Sequence, residues 1–103
     1  MDPRVEELSR RLVEALTPIR IYLFGSRSLG TADSESDYDI LVVAETDLPM
    51  EERVLLARRA VGHIPVAKDI FIYTPAEFAQ YSNWLSGVVR EAVSRGRILY
   101  EAA

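Results

Sequence analysis

No cysteine occurs in the 103 residues, which excludes a disulfide framework and a thiolate metal site. A secreted domain this small usually relies on such staples, so a cytoplasmic protein is expected. There is a single histidine, His63, and therefore no histidine cluster for zinc. No apolar run approaches the roughly 20 residues that a membrane span needs, so no membrane partner is expected. The first residues, MDPRVEELSR, are charged and read as helix, unlike a signal peptide. An excess of basic residues is lacking too. Twelve Lys and Arg stand against sixteen Asp and Glu, a net charge of −4, and nucleic acid is not the expected partner of so acidic a chain. Low-complexity stretches, long polar linkers and internal repeats are absent.

What remains is 49% hydrophobic and 27% charged, the mix of an ordinary globular protein. The length predicts one domain over 1–103, with a core of little margin. Proline and glycine, five of each, punctuate it. Asp2 and Pro3 open a helix with Val5, Leu8, Leu12 and Leu16 on one face, and Pro18 ends it. IRIYLF (19–24) reads as a strand, GSRSLGTADSESD as a polar loop, and DYDILVVA (37–44) as a second strand. A helix bounded by Pro49 and Gly62 follows, then a third strand, VAKDIFIY (66–73). TPAE (74–77) is a capping box opening a third helix, with a break near Ser82. Leu85, Val88, Val89, Ala92 and Val93 give its later part an apolar face, Gly96 closes it, and RILYE reads as a final strand. This order predicts an α/β (α+β) fold, a small mixed sheet with helices packed against it. The first two strands have no long helix between them and can pair antiparallel.

Asp37 and Asp39 are two apart on a strand, so their side chains leave one face about 7 Å apart along the chain. They can converge on one divalent ion or on a pair about 4 Å apart, while Tyr38 turns into packing. Donors that are all oxygen suit Mg²⁺, or equally Mn²⁺. A plain turn-capping role for the SDYD segment stands beside that reading. Gly25 and Ser26 follow a strand directly, where a glycine lets backbone N–H groups approach a phosphate and a serine adds a donor; Gly30 can serve the same loop. GSRSLG is neither a Walker loop nor GxGxxG. Asp69 lies mid-strand, where an unpaired buried carboxylate would be costly. It faces solvent or pairs with Lys68 or an arginine, or else joins Asp37 and Asp39 if its strand lies next to theirs.

Taken in order, GSRSLG, SDYDILVV and KDIFIYTPAEF resemble the minimal nucleotidyltransferases of the DNA polymerase β-like superfamily, and REAVSRGRILYE is similar to that family's C-terminus. The resemblance spans nearly the whole chain and implies the polymerase β palm-like fold. It implies that Gly25 and Ser26 hold a triphosphate, with Arg27 and Gly30 as further nucleotide-binding residues. It also implies that Asp37, Asp39 and Asp69 bind metal, and that Asp69 helps to deprotonate an acceptor hydroxyl. The implied reaction transfers a nucleoside monophosphate, AMP from ATP, with release of pyrophosphate. The implied setting is a two-component toxin–antitoxin module with a small helical HEPN-type partner. A catalytically silent nucleotide-binding or regulatory partner-binding module is the alternative, and a homo-oligomer is compatible with either.

Other conspicuous residues carry plainer expectations. Arg53, Arg58 and Arg59 read as the solvated face of their helix, and His63 as a structural or surface residue near that helix's end. Tyr81 and Trp84 read as core or interface, an exposed tryptophan favouring an interface.

Overall fold

The computed structural model describes residues 3–25, 37–84 and 87–103. The first element is α1, Pro3–Leu16, which buries Val5, Leu8 and Leu12 as its spacing predicts. The cap expected at Asp2 lies outside the described residues. The strands are β1, Arg20–Phe24, β2, Tyr38–Val43, and β3, Lys68–Tyr73. Each is a residue or two shorter than expected, at ends where pairing stops. The helix α2, Met50–Val61, joins β2 to β3, which is what a parallel strand pair requires.

The break near Ser82 is real. The helix α3 spans Pro75–Tyr81 and α4 spans Val88–Arg95, followed by β4, Arg97–Glu101. The capping box forms as expected. Thr74 Oγ1 accepts from the Glu77 amide at 3.2 Å, and the Thr74 amide donates to Glu77 Oε1 at 2.8 Å. Leu85 lies outside the described residues; Val89 and Ala92 are buried, but Val93 is 52% exposed, so the apolar face of α4 is narrower than expected.

The sheet runs β3-β2-β1-β4 and is mixed: β1 is antiparallel to β2 and β4, and β2 is parallel to β3. One face packs Ile21, Leu23, Tyr38, Ile40 and Val42 against α1 and α2; the other packs Tyr22, Phe24, Leu41 and Val43 against α3 and α4. Helices on both faces explain why β1 and most of β2 read as continuous apolar runs rather than as alternation. No helix of the described residues is long and apolar enough to cross a membrane.

One expectation is overturned. Arg53 is not on a solvated face of α2 but buried, only 7% exposed, while Arg58 and Arg59 are exposed as expected. Its Nη1 donates to Glu77 Oε1 at 2.6 Å and to the Ile72 carbonyl at 3.1 Å, and its Nε donates to the Leu48 carbonyl at 2.8 Å. A buried guanidinium is tolerable only with such partners. Arg53 lies one helical turn from Ala57 and two from Val61, both buried, so the spacing does carry the signal.

Candidate active site

Topology gathers the acids at one end of the sheet. Because β1 runs antiparallel to β2, its last residue, Phe24, lies opposite Asp39. Because β3 runs parallel to β2, Asp69 lies opposite the same Asp39. Directly paired residues share a face, and neighbouring strands are about 5 Å apart, so Asp39 and Asp69 are lateral neighbours. Asp37 is two residues upstream of Asp39, just before the strand begins, and in electrostatic range of it. The face is the one covered by α3 and α4. Tyr38, between the two acids, points the other way and is 1% exposed.

Gly25 completes the group. Its φ is +75°, in the left-handed region, and a Cβ there would collide with the Asp39 carboxylate. Glycine is therefore favoured by its backbone angle, and a side chain there would also displace the Asp39 carboxylate. A Gly25→Ala variant is expected to lose about 1–3 kcal/mol of stability, the range for a non-glycine residue held in a sparsely populated region. Thermal denaturation checks it; an unchanged Tm would mean that the turn is not held in this conformation. Ser26, Arg27 and Gly30 lie outside the described residues.

The electrostatics follow from crowding. The Asp39 carboxyl is pushed above the usual range, first by burial and then by the neighbouring charges of Asp69 and Asp37. Lys68 does not relieve this, because its ammonium donates to the carbonyls of Ile64 at 2.9 Å and Val66 at 3.1 Å. Asp69 and Asp37 are exposed and Asp39 is half-buried, so the acids open to solvent. Just inside them on the same face, the rings of Phe24 and Phe71 meet with centroids 6.1 Å apart. This apolar floor was not anticipated, although Phe71 two places after Asp69 had to share its face.

The donors are carboxylate oxygens, which fit a hard divalent cation, and the mutual repulsion at Asp39 is of the kind a cation relieves. As the side chains are set, no three His, Asp or Glu among the described residues stand close enough together to enclose a metal ion. The chemistry of the donor set fits the ion; the closed geometry is not formed.

Comparison with known proteins bears on the fold and the family. Solved structures that share the fold include three from toxin–antitoxin complexes. A chain of a toxin–antitoxin complex with AMP-PNP matches with a TM-score of 0.69 and 25% identity, covering 95% of this chain and 73% of the other. A chain of the toxin–antitoxin MntA-HepT matches at 0.64 and 20%, covering 99% and 74%. A chain of the complex between tri-AMPylated Shewanella oneidensis HEPN toxin and MNT antitoxin matches at 0.61 and 22%, covering 96% and 71%. No curated protein matches the sequence. A family model described as a nucleotidyltransferase domain matches residues 5–99. With that match spanning nearly all of a chain that sets Asp39 between Gly25 at the end of one strand and Asp69 on another, this protein belongs to the nucleotidyltransferase-domain family.

Proposed function

We propose that the chain transfers AMP from ATP to a hydroxyl group of a protein acceptor, as the antitoxin-like half of a pair with a small helical HEPN-type protein. The observation that carries this is the register: Asp39 lies opposite Asp69 on β3 and against Gly25 at the end of β1. In this reading Gly25 and Ser26, with Arg27 and Gly30, hold the phosphates. Asp37, Asp39 and Asp69 would hold Mg²⁺ or Mn²⁺, which supplies charge stabilisation at the phosphate oxygens. Asp69, the most lateral of the acids, accepts the proton of the acceptor hydroxyl. The acceptor oxygen bonds to the α-phosphorus as the α–β phosphoanhydride breaks, and pyrophosphate leaves. Nucleotide-bearing and AMPylated toxin–antitoxin complexes among the structural relatives support the choice of AMP and of a protein acceptor.

The test is incubation with α-labelled ATP and Mg²⁺, with and without a small helical HEPN-type protein. Covalent label on that protein, dependent on Mg²⁺, is expected. Nucleotide binding without transfer or pyrophosphate release would instead establish the silent regulatory module. Calorimetry separates the first step: ATP should bind with Mg²⁺ and much more weakly without it, whereas equal affinity in both conditions counts against the acids as its site.

A further inference from the structure

Among the described residues the sheet is open beside Asp69. The strand β3 is outermost, and the carbonyls of Ala67 and Tyr73 accept from the amides of Tyr38 and Ala44 on the inner side, both at 3.0 Å. Alternation therefore turns the backbone groups of Lys68, Ile70 and Ile72 outward. Arg53 takes the Ile72 carbonyl, so the far end of this edge is closed. The near end borders a groove of about 560 Å³ between β3 and α2. Val54, Val61, Val66 and Ile70 form its apolar walls, Arg58 adds an exposed cation, and Asp69 borders it on the strand edge, its side chain on the other face of the sheet from Ile70, where the alternate side chains of an added strand would point.

We propose that this groove is the acceptor dock, taking an extended segment of the acceptor protein along the outer edge of β3. The segment's apolar side chains lie against Val54 and Ile70, an acidic residue meets Arg58, and the neighbouring hydroxyl is delivered to Asp69. Adding a strand to an open edge gives main-chain hydrogen bonds for affinity and side-chain contacts for specificity. Position favours an acceptor over a nucleotide. Gly25 ends β1, two strands and about 10 Å from β3, so phosphates held at Gly25 and an acceptor entering over β3 approach from opposite sides. An in-line displacement requires that arrangement. Charge favours it too: of the two cations lining the groove, Lys68 is held by carbonyls and Arg58 alone is exposed, which in a chain with net charge −4 suits a lone carboxylate rather than a polyanion. The Lys68 ammonium, bound to the carbonyls of Ile64 and Val66, holds the mouth of the groove in shape before anything binds.

This inference rests on Asp69 as the acceptor's proton acceptor, and the test separates the two. The probes are the blocked pentapeptides Val-Asp-Tyr-Ile-Val and Val-Lys-Tyr-Ile-Val at millimolar concentration, added to the intact chain with Mg²⁺ and ATP. Amide shifts by NMR are expected at Val54, Arg58 and Ile70 with the aspartate peptide, which should bind about tenfold more tightly than the lysine peptide. Arg58→Glu, at an exposed position, should reverse that preference, and Val54→Asp should weaken both peptides while ATP affinity stays unchanged. Shifts that are absent or map elsewhere, or a preference unmoved by Arg58→Glu, overturn the dock. Loss of ATP affinity in either variant makes the groove a nucleotide pocket and overturns it as well. Peptide bound in the groove without AMP transfer keeps the dock and refutes the transferase reading. Transfer with the peptide mapped elsewhere does the reverse.

Discussion

An Asp39→Asn variant is expected to lose at least about a hundredfold in AMP transfer while unfolding at a higher temperature than the wild type. The activity loss has a direct cause. Asparagine keeps the shape of the side chain but removes the charge from the carboxylate that lies between Asp37, Asp69 and Gly25. Removing one group that stabilises developing charge in such a site costs about 10²–10³ in rate. The stability gain follows from linkage. The Asp39 carboxyl is raised in the folded chain by burial and by its two acidic neighbours, so the folded state binds its proton more tightly than the unfolded state does. Stability in the wild type therefore falls as pH rises from the usual carboxyl range through the raised folded value, and the full penalty is present at neutral pH. Asparagine has no proton to release and escapes that penalty. Labelled transfer and thermal melts at acidic and neutral pH read the two effects together. Full transfer by Asp39→Asn would refute the site, and a neutral-pH Tm below that of the wild type would refute the crowding argument.

The second large effect lies at the other end of β3. Arg53→Met is expected to destabilise the fold by about 3 kcal/mol, the lower end of what removing one partner of a buried ion pair costs. Methionine fills much of the volume but leaves Glu77, whose side chain is 27% exposed, with only the Thr74 amide, and deprives the carbonyls of Leu48 and Ile72 of the Arg53 donors. Each kcal/mol shifts Tm by about 4–8 °C in a domain of this size, so the fall should exceed about 10 °C. The pH dependence carries the signature. The Arg53 guanidinium, bonded to its carboxylate, holds Glu77 below the usual range, with the Thr74 amide adding to this. Stability from Glu77 is therefore complete above its unfolded pKa and is lost as pH falls through the lower folded value. Denaturant midpoints should show wild type and variant converging in acid and diverging toward neutral pH. A gap that does not change with pH would assign the cost to packing rather than to the ion pair.

Much of this was legible in the sequence because its signals are local. Helical spacing placed Val5, Leu8 and Leu12 in the core, and the capping box at Thr74 and Glu77 set the start of α3. A two-residue period put Asp37 and Asp39 on one face and turned Tyr38 to the other. The order of a strand-ending glycine, an Asp-x-Asp strand and a later aspartate pointed to the nucleotidyltransferase family, which the match over residues 5–99 confirms.

Contacts between distant segments were decided only in three dimensions. Asp69 becomes the neighbour of Asp39 through the parallel register that the α2 crossover imposes, and no local pattern in VAKDIFIY could choose that over solvent or over Lys68. Gly25 is pressed against Asp39 because β1 and β2 pair antiparallel. Arg53 is buried because Glu77, 24 residues later, arrives with two carbonyls to receive it. Val93 stays 52% exposed, and Trp84, 54% exposed, meets Tyr81 with ring centroids 4.6 Å apart and the rings tilted by 54°. Periodicity tells a side chain which face of its own element it leaves from; register and packing between elements, which depend on the whole chain at once, decide what it meets there.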